Sequence, residues 1–244
     1  MSVSFCTLRP VTASVVTAKK DKTGFSNPFS RLDKPHHTIS SGGASHRTNG
    51  ATRAGNLGML RLANGRKVSC KAIGIFYSTT TGNTEAAAEW VADLMPGETS
   101  EILEIGQATM DEIKAYDGLI VGAPTWHTGA NTDRSGTDWD ARLDEIRELN
   151  FGGKPVAIFG LGDAGAYGDN FCDAIEELHD AFVQGGAKMV GYVPSSNYDF
   201  QESKSVRDGK FLGLPLDANN EDDLTEGRVK EWTQQLVGEG MVSK

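Results

Sequence analysis

Cysteine is scarce in this chain, with three in 244 residues. One of them, Cys6, lies in the N-terminal head. Cys70 and Cys172 have no C-x-x-C partner and no neighbouring histidine cluster. A disulfide framework and a zinc or iron–sulfur site are therefore not suggested, and the pattern suits a reducing compartment. No apolar run approaches the roughly 18 residues of a membrane span. Acidic residues are nearly missing from Met1–Ser69, which holds 11 Lys/Arg against 2 Asp/Glu. From Cys70 onward the balance reverses, to 13 Lys/Arg against 31 Asp/Glu. Those counts hide a +9 head on a −18 body behind a formal charge of −9. An acidic body argues against nucleic acid and anionic membrane and for a basic protein partner.

The head is rich in Ser and Thr, carries scattered basic residues and shows no hydrophobic periodicity. It lacks the apolar centre of a secretory signal and has the composition of an organelle transit peptide. The expected division is a disordered chloroplast transit peptide over 1–70 and one folded domain over 71–244. Processing is expected after Val68-Ser69-Cys70.

Within the body, apolar and helical patterns alternate. Strands are expected at Ala72–Tyr77, Ser100–Glu104, Gly118–Ala123, Val156–Gly160 and Lys188–Val193. Ala87, Trp90, Val91 and Leu94 make one helical stripe, and Phe171, Ile175, Leu178 and Phe182 make another. Thr137 and Asp140 suggest a capping box opening a helix over Asp138–Leu149. A last helix is expected over about Asp222–Val237. Alternating β and α units imply a doubly wound α/β sheet. Ligands bind there outside the carboxyl ends of the strands, so the loops after strands one, three and four should converge. Ser195–Leu216 breaks the alternation and reads as an excursion inserted into, or beside, an edge strand, either a surface elaboration or a partner-docking element.

The first of these loops is Ser78, Thr79, Thr80, Thr81, Gly82, Asn83 and Thr84. Five hydroxyls and a glycine run straight into a helix, and lysine and arginine are absent. That is a neutral cradle for a single terminal phosphate, made of N–H groups at a helix N-terminus and side-chain O–H donors. The missing lysine sets it apart from a nucleoside-triphosphate loop. The second loop holds Pro124, Thr125, Trp126, His127, Thr128 and Gly129. Trp126 is placed as a flat apolar wall for a planar ring. His127 has no acid spaced to orient it and is not read as a catalyst. The third loop holds Leu161, Gly162, Asp163, Tyr167 and Asn170. Gly160, Gly162 and Gly165 formally spell G-x-G-x-x-G, but late in the fold and with the helix expected only several residues later. Asp163 is read as an acceptor for a ring N–H, and Tyr167 as a second flat wall. One phosphate cradle, two aromatic walls and one carboxylate describe a flavin mononucleotide (FMN) site. No nucleophile–base pair and no metal cluster accompany it, so catalytic and metal residues are not expected.

Five segments, in this order and spacing, resemble the long-chain flavodoxins. They are Phe76–Thr84, Gly122–Trp126, Gly160–Asp163 with Tyr167 and Asp169–Phe171, Tyr198–Phe200, and Asp208–Asp217. The stretch Thr128–Trp139 resembles the algal, plastid-targeted members. The resemblance implies a five-stranded parallel sheet in the order 2-1-3-4-5 with helices on both faces. It also implies a long-chain insertion in the fifth strand. Thr79–Thr84 would hold the FMN phosphate, and Trp126 and Tyr167 would sandwich the ring. Asp163 would meet the pyrimidine edge, and the His127–Thr128 peptide would lie near N5. Ser78 stands where the family commonly has glycine, and His127 where it commonly has asparagine. The implied function is low-potential one-electron transfer in the chloroplast stroma, by a monomer that replaces ferredoxin when iron is scarce. Photosystem I is the implied donor and ferredoxin–NADP⁺ reductase the implied acceptor. Asp133, Asp138, Asp140, Asp144, Glu145 and Glu148 are candidates for steering them. The alternative is a quinone reductase on the same fold. A phosphoryl receiver would need acids where Tyr77 and Ala123 stand.

Overall fold

The computed structural model describes residues 60–61, 67–68, 73–96, 99–125 and 135–241. All of them belong to the unit Thr48–Lys244. Within the expected transit peptide, Leu60–Arg61 pairs antiparallel with Lys67–Val68.

The sheet strands are β1 (Ile73–Tyr77), β2 (Thr99–Glu104), β3 (Gly118–Ala123), β4 (Pro155–Leu161) and β5 (Lys188–Val190). A small antiparallel sheet follows, of β6 (Val193–Pro194), β7 (Val206–Arg207) and β8 (Lys210–Phe211), with β8 in the middle. The chain then returns to the main sheet as β9 (Leu214–Leu216). The helices are α1 (Asn83–Leu94), α2 (Met110–Ala115), α3 (Trp139–Glu148), α4 (Ala164–Tyr167), α5 (Ala174–Gln184) and α6 (Asp222–Gly238).

The main sheet is wholly parallel and runs β2-β1-β3-β4, with its fifth position shared. β5 pairs with the first half of β4 (Pro155↔Lys188), and β9 pairs with the second half (Phe159↔Leu214). This is the expected 2-1-3-4-5 order with the fifth strand cut in two. Lys188–Val193 is thus not one strand. Gly191 ends it with φ 82°, and a Cβ there would sit 2.7 Å from Trp232 and Leu236. Only glycine fits both the left-handed backbone and the close approach. The excursion occupies 191–213 rather than Ser195–Leu216, because Leu214 and Leu216 are buried in the sheet.

Successive strand residues face opposite sides. Phe76, Val121, Val156 and Ile158 join the layer under α2, α3 and α5. Ile73, Ile75, Ala157 and Phe159 join the layer under α1 and α6. The buried face of α1 is Thr84, Ala87, Ala88 and Val91, and Trp90 and Leu94 only pack at its edge. Phe171, Ile175, Leu178 and Phe182 are all buried as expected, although Phe171 precedes the helix. The capping box is not at Thr137 and Asp140. Asp140 instead accepts from the N–H groups of Ser135 (2.9 Å) and Gly136 (3.0 Å), folding the loop before α3. A genuine box opens α2, where Glu112 N–H donates to Thr109 Oγ1 and Thr109 N–H donates to Glu112 Oε2.

Candidate functional site

β1 delivers the first loop at the carboxyl edge of the sheet. Ser78 is buried, and its N–H donates to Gly122 O (3.3 Å), tying the loop to the end of β3. Trp139, fully buried at the start of α3, donates its indole N–H to the same carbonyl (3.0 Å). Thr79 Oγ1 accepts from Gly82 N–H (2.9 Å), and Gly82 turns left-handed at φ 92°. α1 then starts at Asn83 with no side-chain cap hydrogen bond. Its first-turn N–H groups carry the positive end of a 12-residue helix dipole. Thr80, Thr81, Asn83 and Thr84 line a cleft of about 510 Å³ beside this terminus. Nearby, Tyr77 O–H donates to Glu85 Oε1 (2.9 Å). Burial, then the Glu85 carboxylate, pushes the Tyr77 phenol up, so it stays a neutral donor.

Pro124 and Thr125 form a second side of the cleft. Thr125 Oγ1 donates to Leu161 O (3.1 Å), joining the ends of β3 and β4. Trp126, His127, Thr128 and Gly129 lie outside the described residues, as does Asp133.

The third side is Leu161, Gly162, Asp163, Tyr167 and Asn170. A Cβ on Gly162 would fall 2.6 Å from Phe171 and 2.7 Å from Cys172 Sγ, so the backbone there passes against the core. A helical turn starts at once after Asp163, earlier than expected. Asp163 caps it by accepting from Ala166 N–H (2.9 Å). The same carboxylate accepts from Asn220 Nδ2 (2.9 Å) and Asn219 Nδ2 (2.7 Å). The Asn220 bond, ahead of the others, holds the Asp163 carboxyl below its ordinary range. The sequence reading offered this carboxylate to a ring N–H, and here it takes three donors from the protein. Tyr167, at the end of the turn, is 57% exposed.

The structure thus brings eleven of the expected residues into one cleft, while Ser78, Thr79 and Gly82 of the same loop do not line it. Ala218 and Asn219 line it as well and were missed. They follow β9 in Asp217-Ala218-Asn219-Asn220. An Asp and two Asn directly after a buried apolar strand are turn formers at the ligand-binding edge, and that signal was available.

The excursion holds the third loop from behind. Gly168 O accepts from Gln201 N–H (2.8 Å) and Glu202 N–H (2.9 Å), and Phe171 N–H donates to Glu202 O (3.2 Å). Fully buried Ser205 donates to Cys172 O (2.8 Å) and accepts from Glu176 N–H (3.0 Å). Cys172 itself sits at φ 55°, a left-handed position uncommon outside glycine.

The family model described as Flavodoxin matches residues 75–232, more than half of the chain. The chain belongs to the flavodoxin family. It is 44% identical over 165 residues to the flavodoxin of Synechocystis sp., covering 67% of this chain and 95% of that protein. A flavodoxin from Nostoc sp. is 43% identical over 169 residues, covering 69% and 97%. Among solved structures, Fusobacterium nucleatum flavodoxin bound to flavin mononucleotide superposes with a TM-score of 0.63 at 31% identity. That match covers 69% of this chain and 98% of that chain. Flavodoxins are the standard example of the 2-1-3-4-5 order with ligand at the β1/β3 switch point, and the cleft of this flavodoxin lies there.

Proposed function

We propose that this flavodoxin binds FMN in the cleft and carries single electrons at low potential from photosystem I to ferredoxin–NADP⁺ reductase. On this reading it works as a monomer in the chloroplast stroma and replaces ferredoxin under iron limitation. The observation that supports FMN most is the uncapped N-terminus of α1, ringed by the hydroxyls of Thr80, Thr81 and Thr84. Among the described residues lining the cleft there is no lysine or arginine. Main-chain N–H groups and neutral hydroxyls suit one phosphate group held permanently.

Bound FMN would supply a ring that takes and gives one electron at a time. The protein's residues bind and orient it. The α1 N-terminus holds the phosphate, Tyr167 offers an exposed flat face, and the Thr125–Leu161 bond fixes the floor between β3 and β4. Asp163 and the acidic body oppose further negative charge on the ring, which favours a strong reductant. The steering acids are partly engaged. Glu145 pairs with Arg142 (3.1 Å) and Asp144 with Arg147 (2.6 Å), while Asp138 and Glu148 remain exposed.

The test is anaerobic dithionite titration of the FMN-loaded protein, followed by NADP⁺ photoreduction with ferredoxin-depleted thylakoids and the reductase. A long-wavelength band from one-electron-reduced flavin, then a low-potential second step, is expected. Restored photoreduction that falls as salt rises from 0.05 to 0.5 M supports the partners, since the screening length shrinks from roughly 14 to 4 Å. A direct two-electron bleach refutes the carrier and moves the reading to quinone reduction. Photoreduction no faster than without the protein refutes the partners alone.

A further inference from the structure

We infer that Asn220 is a positioning residue for the flavin, tying the cleft carboxylate of Asp163 to the buried carboxylate of Asp217 and so fixing the turn that carries Tyr167. This rests on the FMN reading above.

The geometry is specific. Asn220 Nδ2 lies 2.9 Å from Asp163 Oδ1 and 3.0 and 2.8 Å from the two oxygens of Asp217. An amide nitrogen has two hydrogens, so one serves each carboxylate. Asp217 is 1% exposed and accepts Ala164 N–H (2.8 Å) at the start of α4. Asp163 accepts Ala166 N–H two residues further on. The turn leading to Tyr167 is therefore held by two carboxylates that one amide joins. Gly165, between those donors, leaves room for the arrangement: a Cβ there would sit 2.8 Å from Asn220 Oδ1.

Each carboxylate also serves the fold: Asp217 accepts Asn219 N–H (3.1 Å) and Asn220 N–H (3.0 Å) in its own turn, and Asp163 caps α4. The Asn220 amide donates to both. The product is a negative charge fixed at the cleft wall where reduction adds negative charge to the bound ring. Asp163 lines the cleft, and buried Asp217 does not. Asn220 thus governs where a charge that opposes reduction is placed, as well as the angle of the Tyr167 wall.

The experiment compares the full-length wild type with Asn220→Ala and Asn220→Asp. In flavin-free protein, amide exchange at Ala164 and Ala166 is expected to accelerate at least tenfold in both variants, with exchange in β1 and β3 unchanged. FMN titrations should show affinity falling about tenfold in Asn220→Ala. The two variants should move the last one-electron potential in opposite directions. Asn220→Ala frees the carboxylate to water and raises it by the equivalent of a threefold to tenfold change, about 30–60 mV at 59 mV per tenfold. Asn220→Asp, set against two carboxylates, ionises only at raised pH, and measured there it adds a charge and lowers the potential. A merely structural role would move both potentials the same way or not at all, and either result overturns the inference. Unchanged exchange at Ala164 and Ala166 overturns it without reference to flavin. Wild-type protein that takes up no FMN shows instead that the underlying reading has failed, and the inference falls with it.

Discussion

Replacing Ser205 by alanine tests whether the excursion in the fifth strand holds the third loop. The hydroxyl is fully buried and makes two hydrogen bonds, to Cys172 O and from Glu176 N–H. Loss of a buried partner costs about 1–3 kcal/mol for each group left unsatisfied. Neither group is left bare here. Cys172 O still accepts Ile175 N–H (3.1 Å), and Glu176 N–H still donates to Asp173 O (3.1 Å). The penalty therefore falls at the low end, about 1–2 kcal/mol in total. For a domain of this size that is a drop in Tm of roughly 2–8 °C. Urea unfolding of the flavin-free protein should show a lower midpoint with an unchanged slope, because the exposed surface is the same. Amide exchange should rise at Gln201, Glu202 and Phe171, whose N–H groups bridge the excursion and the loop, and not in β1 or β3. A stability change under about 0.5 kcal/mol, or exchange rising evenly over the sheet, would refute the reasoning.

Thr84→Val keeps the shape of a buried, cleft-lining side chain and removes its hydroxyl; FMN affinity should fall tenfold or more, about 1.4 kcal/mol per factor of ten, by fluorescence titration. Gly191→Ala combines a left-handed backbone with a Cβ 2.7 Å from Trp232, so a loss of about 2–4 kcal/mol in urea unfolding is expected. The Asp180 carboxyl is held below its ordinary 3.8, chiefly by the Arg207 hydrogen bonds (2.8 and 2.9 Å). Stability from that pairing is present above pH 3.8 and is lost as pH falls through the depressed folded value. Arg207→Gln should therefore flatten the acid side of a urea-midpoint profile below about pH 4 and leave its slope near neutral pH unchanged.

The sheet was legible because most of its strands are covered on both faces and read as apolar runs, with the edge strand β2 (Thr99–Glu104) the exception. Gly118–Ala123 was read to the residue, and β1, β2 and β4 to within a residue at each end. β5 was not legible for the same reason. Val190, Gly191, Tyr192 and Val193 continue the apolar pattern, and nothing local shows that Gly191 takes a left-handed turn. That turn is imposed from α6 and its C-cap, where the Trp232 indole donates to Gly191 O (2.8 Å) and the C-cap Glu239 accepts Gly191 N–H (2.7 Å). The misplaced capping box has a similar origin. Thr137 and Asp140 have the right spacing, but Asp140 satisfies N–H groups of the loop before the helix instead of the helix itself.

The first wall of the cleft could be read because the phosphate cradle is local, with one segment supplying the turn, the hydroxyls and the helix terminus. The side formed by Ala218 and Asn219, after β9, is not local. Its position depends on which half of β4 the returning chain pairs with. Leu214↔Phe159 and Leu216↔Leu161 set that register, and Gly162 N–H donating to Leu216 O (2.8 Å) extends it by one step. From there Asp217 can reach Ala164 N–H, and Asn220 can reach Asp163. A slip of one residue in β9 would turn Leu214 and Leu216 out of the core and carry Asp217 to the other face. The burial of those two leucines therefore fixes the carboxylates at the cleft. The electrostatic setting of the site is decided by packing in the sheet, 53 residues along the chain from the loop it acts on.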